Sequence, residues 1–383
     1  MAIENTLTGL LPIIYKAMDV VAREQIGFIP AVTIDAAVSA AAKGQTVRSP
    51  VVGPASVIDV VPGMTVPSTG AATLTYKEMT LSNFKAAEVV WTAEQEKALG
   101  TNFESILVDQ FAQGFRAISN LVEQDVANVA YLNAGYAYGI GGAVANTSNT
   151  PFGVANDLSD FAQLDKILND TGAPKDGRHL VLGSTAMANL KGKQSVLYKA
   201  SEAGTDQLLR EGSVSKIQGF WMHDSNKVQS PTSGSITANV ALANVGETVI
   251  SVSGTPASLV QGDVITIAGD STKYVVASKT VAPNTVTLNM PITKAVSANA
   301  LISVVAASPR NIALHKSAIV LAARPPYINA KGGQLLDSTE VTDPVSGITF
   351  LVSEFAGYYG RRFEIALVWG AGLNKSDFIA VSL

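Results

Sequence analysis

Three histidines, His179, His223 and His315, are the side chains of this 383-residue sequence best suited to proton transfer or metal binding near neutral pH. They lie far apart in the chain. None has a second histidine or a carboxylate at metal-ligand spacing, and no HExxH occurs, so each reads as a structural histidine. Nucleophilic chemistry fares no better. Ser213-Val-Ser-Lys216 matches the SxxK of penicillin-binding enzymes but lacks the companion motifs, and reads as a turn before a strand. Ser184 follows Gly183 after an apolar run, yet Thr185 and Ala186 do not complete GxSxG, and a helix-capping role accounts for it. Around Tyr138 the run Tyr-Gly-Ile-Gly-Gly lacks the GxGxxG spacing and a preceding strand, and no GxxxxGK[ST] exists to cradle a phosphate. With no cysteine there is no thiol nucleophile, disulfide or thiolate metal ligand. The expectation is a protein that is not an enzyme, with no catalytic, cofactor-binding or metal residues. An α/β hydrolase-like enzyme with a β insert would have to use Ser184 or Ser213, for which no base or oxyanion partner can be named.

The elements around these residues carry more information. Hydrophobic residues make up 47% of the chain, enough for a sizeable core, and length suggests about two domains. Charged residues are only 15%, against about 25% in an ordinary soluble protein, which predicts that much of the exterior lies against other copies. Net charge is −4, so overall composition does not point to nucleic-acid binding. The apolar run Leu7 to Ile14 is broken by Pro12, follows Glu4 and has no basic flank, so it does not read as a signal peptide. No stretch approaches the roughly 20 apolar residues of a membrane span, and synthesis in the cytosol is expected.

Along residues 5–25, Leu7, Leu10, Leu11, Ile14, Met18 and Val21 fall at helical steps, with Pro12 in or near the first turn. Residues 44–76 turn to Val, Thr, Ser and Gly with Pro50, Pro54, Pro62 and Pro67, which forbid a helix and predict a hairpin arm resting on another surface. Phe103, Leu107, Phe111, Phe115, Ile118, Val122, Val126 and Val129 then predict one helix over 102–132, about 45 Å long, with Thr101 and Glu104 as a capping box. Phe161, Leu164, Ile167 and Leu168 mark a second helix ending at Gly172 and Pro174. His179 to Leu182 is a short buried strand, and a third helix starts at Ser184. The tail predicts two strands around a Gly370–Gly372 turn, with Phe363, Ile365, Leu367 and Trp369 on one face.

Residues 228–308 differ from everything on either side. These 81 residues hold six charges (Glu247, Asp263, Asp270, Lys273, Lys279 and Lys294), one aromatic (Tyr274) and 30 Val, Ile or Thr. β-Branched residues crowd helices and favour strands, so Thr248 to Val252, Val264 to Ile267, Tyr274 to Val276 and Thr285 to Leu288 read as short strands. Gly254, Pro256, Gly262, Gly269, Asp270, Pro283 and Asn284 punctuate them as turns. This predicts an all-β domain inserted into a different host and folding by itself. Taken alone the insert suggests a surface adhesion module, against which stand the missing export signal and the α/β host.

In serial order, the N-terminal arm, the Val/Pro/Thr loop, the long helix, "GAPKDGRHLVLGSTAMANL", "LREGSVSKIQGFWMHDSNKV", the insert and "NIALHKSAIVLAARPP" resemble the major capsid (coat) proteins of tailed bacteriophages. The resemblance is to the type carrying an inserted β-rich domain, as in short-tailed Salmonella phages, and it covers nearly the whole chain. It implies an α+β fold of the tailed-phage and herpesvirus capsid type. Residues 1–43 would be the N-arm and 44–80 an extended loop overlapping a neighbour. Residues 81–150 would form the peripheral domain with its spine helix, 151–227 and 309–383 the axial domain, with the C-terminal part completing the peripheral one. Residues 228–308 would form a β-barrel-like insertion domain. The implied function is self-assembly through pentamers and hexamers into the icosahedral shell around a double-stranded DNA genome. Implied partners are other copies, a scaffolding protein, a portal protein, a decoration protein and DNA bound non-specifically, with no membrane and no cofactor. The protein would be assembled in the host bacterial cytoplasm and reside in the virion. Candidate intersubunit contacts are Arg48, Lys77 and Glu78 of the loop, meeting Glu123 or Asp125 of an adjacent spine helix, and Asp263, Asp270 and Lys273 of the insert.

Overall fold

The structure is a computed structural model that describes residues 11–22, 26–35, 42–52, 74–99, 103–142, 150–194, 216–236, 238–256, 258–328, 335–344 and 346–383. The predicted capping box at Thr101 and Glu104, the helical residues Leu7 and Leu10, Pro54, Pro62, Pro67 and Ser213 lie outside what it describes.

The fold is α+β. In chain order it runs α1 (Leu11–Ala22), β1 (Thr33–Asp35), β2 (Thr46–Val52), β3 (Leu74–Thr80), β4 (Asn83–Thr92), α2 (Ala93–Leu99), α3 (Phe103–Leu132) and β5 (Tyr136–Tyr138). Next come α4 (Ser159–Asp170), β6 (Arg178–Leu182), α5 (Ser184–Lys193), β7 (Lys216–Ile217) and β8 (Phe220–Asp224). The insert supplies β9 (Ala238–Asn239), β10 (Val249–Ser251), β11 (Val264–Ile267), β12 (Lys273–Thr280), β13 (Thr285–Leu288) and β14 (Leu301–Val304). The host resumes with β15 (Asn311–His315), β16 (Ile319–Arg324), β17 (Leu335–Thr342), β18 (Thr349–Gly357), β19 (Gly360–Leu373) and β20 (Ile379–Ser382).

The first sheet, ordered β1-β16-β19-β18-β17 with β4 also on β19, is covered by the 30-residue α3. Alternation along β19 puts Phe363, Ile365, Leu367 and Trp369, all buried, on the helix side. Phe111 meets Phe363 edge-on at 5.6 Å and Phe115 meets Phe350 at 5.3 Å. Gly114 lets the helix approach this closely, since a Cβ there would lie 2.7 Å from Ile365 Cδ1. Three side-chain hydrogen bonds finish the seam: Trp91 Nε1 donates to Gln110 at 2.7 Å, and Trp369 Nε1 and Asn83 Nδ2 both donate to Asp125 at 2.8 Å.

The tail departs from expectation. No turn interrupts Gly370–Gly372: β19 runs unbroken for 14 residues, and β20 begins only after a 3₁₀ turn at Ser376–Phe378. The glycines are there because β3 crosses at that point. A Cβ on Gly370 would sit 2.3 Å from the Thr80 carbonyl oxygen, and one on Gly372 would sit 2.9 Å from Met79 Cγ.

The second sheet runs β7-β8-β6-β15-β20-β5 and continues into the insert as β12-β11-β14-β9. Within the insert β13 joins β12, β10 joins β13, and a Val240–Val252 bridge returns to the chain just after β9, so six short strands close into a barrel. The barrel has its own core but shares an edge with the rest of the second sheet. Host strand β5 pairs parallel with β20 on one edge and antiparallel with β12 on the other. Tyr136 of β5 lies in the barrel's core against Tyr274, and Val264, Val275 and Val305 of the insert belong to the host core. The insert also caps the spine: Asn289 Nδ2 donates to the carbonyls of Leu132 and Ala134 at 3.0 and 2.8 Å, satisfying acceptors that the end of α3 leaves open. Helix α5 needs a smaller correction. Gly183 is its N-cap and Ser184 its first residue, so the expected Ser184 cap is absent; the Gly183 amide instead donates to Asn311 Oδ1 at 2.8 Å.

Candidate interaction surface

Strands β2 and β3 form a separate two-stranded antiparallel sheet in which Arg48 faces Glu78 and Ser49 faces Lys77. Its base is anchored. Met79, with Leu81 beyond the strand, packs on Ala322 and Val368, while further out Tyr76, Lys77, Arg48 and Glu78 are exposed. Arg48 Nε donates to Glu78 Oε1 at 3.0 Å, and with side chains 68% and 54% exposed this pair adds little to stability. A two-stranded hairpin is marginal in water without a surface to lie on. Arg48, Lys77 and Glu78 are therefore held where a second molecule can reach them.

The other predicted contact residues are turned to their own chain. Glu123, 2% exposed, accepts from the amides of Gly27, Phe28 and Ile29 at 2.7, 2.7 and 3.0 Å and from Ser225 Oγ at 2.8 Å. It cannot meet a neighbour's loop, because its carboxylate clamps the N-terminal segment and the end of β8 onto α3. Burial pushes its pKa up, opposed by the amide and hydroxyl donors. Asp125 is taken by Trp369 and Asn83. Asp263, 3% exposed, accepts from the amides of Val260 and Gly234 and pins a turn of the barrel. Within the chain these three carboxylates hold internal contacts: Glu123 and Asp263 satisfy backbone donors that would otherwise be buried unpaired, and Asp125 ties two side chains of the first sheet to α3. Asp270 accepts from Thr272 N at 2.9 Å and from the Tyr274 hydroxyl at 2.6 Å, and Lys273 Nζ donates to the Gly139 carbonyl, tying the barrel to the host.

The structure also joins two of the three histidines. Strands β6 and β8 are parallel neighbours with Val181 opposite His223 and His179 opposite Trp221. His179 Nδ1 lies 2.9 Å from His223 Nε2. The ring centres are 5.1 Å apart with planes 18° apart, a separation that two ring radii plus the hydrogen bond already fill, so the rings meet edge to edge. Sequence gave no sign of this, since 44 residues separate the pair and only the parallel register aligns them. Burial foremost, then His223, Lys316 and His315, hold His179 down to about 4, and burial holds His223 down as well. Both folded values lie below the ordinary 6.5, so the unfolded chain takes up protons first and stability is lost as pH falls from about 6.5 toward 4. The thermal midpoint is expected to drop between pH 7.5 and pH 5, and His179→Gln is expected to remove at least half of that drop. An equal drop in both proteins would assign the acid sensitivity to other groups.

No family model matches the chain, and no curated protein matches it. Solved structures that are similar include one from Mycobacterium phage Che8, 14% identical over 94% of this chain and 91% of that one, with a TM-score of 0.49. Another is the capsid structure of the cyanophage P-SCSP1u, 13% identical over 92% and 86%, TM-score 0.49. A third is the asymmetric unit of the bacteriophage PhiM1 mature capsid, 11% identical over 94% and 87%, TM-score 0.46.

Proposed function

We propose that this chain is a major capsid protein that assembles through pentamers and hexamers into the icosahedral shell enclosing the double-stranded DNA of a tailed phage. The observation that carries the reading is the β2–β3 hairpin, a charged two-stranded arm anchored at its base. Such an arm gains its stability by lying on a neighbouring copy, and a closed shell multiplies one modest contact many times over. The sparse charge of the chain fits a surface spent on contacts between copies. In this reading residues 1–43 are the arm, 44–80 the overlapping loop, 81–150 the peripheral domain, 151–227 with 309–383 the axial domain, and 228–308 the insertion domain. Arg48, Lys77 and Glu78 pair with charges on the adjacent copy. The chain acts as a structural protein rather than an enzyme, assembled in the bacterial cytoplasm with scaffolding and portal proteins and carried in the virion. A decoration protein would bind its outer face. Contact with the packaged DNA is weak and sequence-independent.

Negative-stain imaging of the purified protein, alone and co-expressed with the scaffolding protein of its phage, tests this. Shells or capsomer-sized rings are expected. Dispersed monomers under both conditions would refute it.

A further inference from the structure

Helix α2 joins β4 to the segment leading into α3 and is lightly held. None of the residues Ala93 to Ala98 is buried. Its first turn is closed by a reciprocal pair, Thr92 N to Gln95 Oε1 at 3.0 Å and Gln95 N to Thr92 Oγ1 at 3.3 Å, and Ala93 N donates to the Tyr359 carbonyl at 3.0 Å. Its one ion pair to the sheet among the described residues is through Glu96. Arg361 of β19 presents its planar fork to that carboxylate, Nε to Oε1 at 3.0 Å and Nη2 to Oε2 at 2.7 Å.

The same guanidinium has a second carboxylate within reach. Glu354 of β18 is 1% exposed, and its Oε1 stands 3.7 Å from Arg361 Nη1, close enough to attract but too long for a hydrogen bond. That oxygen has no hydrogen-bond partner among the described residues. A buried carboxylate oxygen left in this state is costly, and a well-paired structural glutamate would not be built this way. Asp337, opposite Glu354 in the β17–β18 register, adds a further negative charge.

We propose that Arg361 is a two-position latch: in the position described it grips Glu96 and holds α2 against the sheet, and when α2 lifts away it transfers its fork to Glu354. Neither position leaves the guanidinium without a carboxylate, so the exchange costs far less than breaking an ion pair outright. The device permits the segment before the spine helix to take two positions on an otherwise rigid sheet. It stands on this geometry whether or not the chain forms shells.

A double-mutant cycle reads the exchange directly. In the unmutated chain, Glu354→Gln removes an underpaired buried charge and is expected to leave the thermal midpoint unchanged or raise it. In a Glu96→Gln background the same substitution removes the remaining carboxylate partner of Arg361 among the described residues and is expected to lower the midpoint by about 4 °C. The effect of Glu354→Gln therefore changes sign between backgrounds. The same effect in both overturns the proposal. The chain has no cysteine, so spin labels on Lys97→Cys and Tyr359→Cys report the position of α2 without interference. Their distance distribution is expected to widen in Glu96→Gln and to stay narrow in Glu354→Gln. A single unchanged distance in Glu96→Gln would overturn the release of α2.

Discussion

Glu123→Ala is expected to destabilise the folded chain by about 3–5 kcal/mol, because it strips a buried carboxylate from four donors that have nowhere else to turn. Three of those donors are consecutive amides, Gly27 to Ile29, and the fourth is Ser225 Oγ at the end of β8. One side chain on α3 thus joins the N-terminal segment, the spine helix and the second sheet. A Cβ on Gly27 would lie 2.9 Å from Ser225 Cβ and 3.0 Å from Val181 Cγ1, so the segment is also sterically fitted there. Glu123→Gln keeps the shape but points an amide N–H at amide N–H groups, and about 2 kcal/mol of loss is expected. Chemical unfolding measures both, and hydrogen exchange at Gly27 to Ile29 should accelerate well ahead of exchange in β19. The pH dependence carries a definite sign. Burial raises the folded pKa of Glu123 above its unfolded value, so its contribution is fullest below the unfolded value and declines as pH rises through the folded one. The penalty for Glu123→Ala should accordingly be larger at pH 5 than at pH 8. A variant within about 1 kcal/mol of the parent at both pH values would mean that the clamp does not bear on stability.

Arg48→Glu is expected to cut the yield of assembled particles at least tenfold while shifting the thermal midpoint of the subunit by no more than about 2 °C. The two effects separate because the Arg48–Glu78 pair is exposed, whereas a contact repeated across a shell is amplified by valency. The swap Arg48→Glu with Glu78→Arg decides where the charge acts. It restores the pair within the hairpin but inverts both charges toward a neighbour, so particles should remain scarce. Recovery of normal particles in the double variant would show that the pair serves only its own hairpin.

Much of this architecture was legible in local patterns. The spacing of Leu107, Phe111, Phe115, Ile118, Val122 and Val126 predicted a helix and a buried face, and all six are buried along α3. Thr248 to Val252, Val264 to Ile267 and Thr285 to Leu288 became strands with little change of boundary, the run Tyr274 to Val276 became the longer strand Lys273–Thr280, and Gly262 and Gly269, both at positive φ, sit at turns. The misread glycines are instructive. Gly370 and Gly372 carry the composition of a turn, but their reason is β3 passing overhead, about 290 residues earlier in the chain. The candidate contact residues divide along the same line. Arg48, Lys77 and Glu78 sit on strands β2 and β3, in the region where the prolines forbade a helix and predicted a hairpin arm. Glu123 and Asp125 stood as equivalent candidates on the long helix, yet one is bound by amides 94 to 96 residues away and the other by an indole 244 residues away.

By itself, then, the sequence determined most of the helices, the strand-rich stretch of residues 228–308, the two-stranded arm and the shortage of charge. All of these follow from free energies summed over a few adjacent residues: side-chain period, β-branching, and the backbone limits of glycine and proline. Only the tertiary structure decided which carboxylates are spent internally, that His179 meets His223, that host strand β5 completes the seam to the barrel, and that Arg361 has two glutamates within reach. Those outcomes depend on strand register and on which distant donors a burial would otherwise leave unpaired. A buried polar group must find a partner, but local sequence carries no label saying which one.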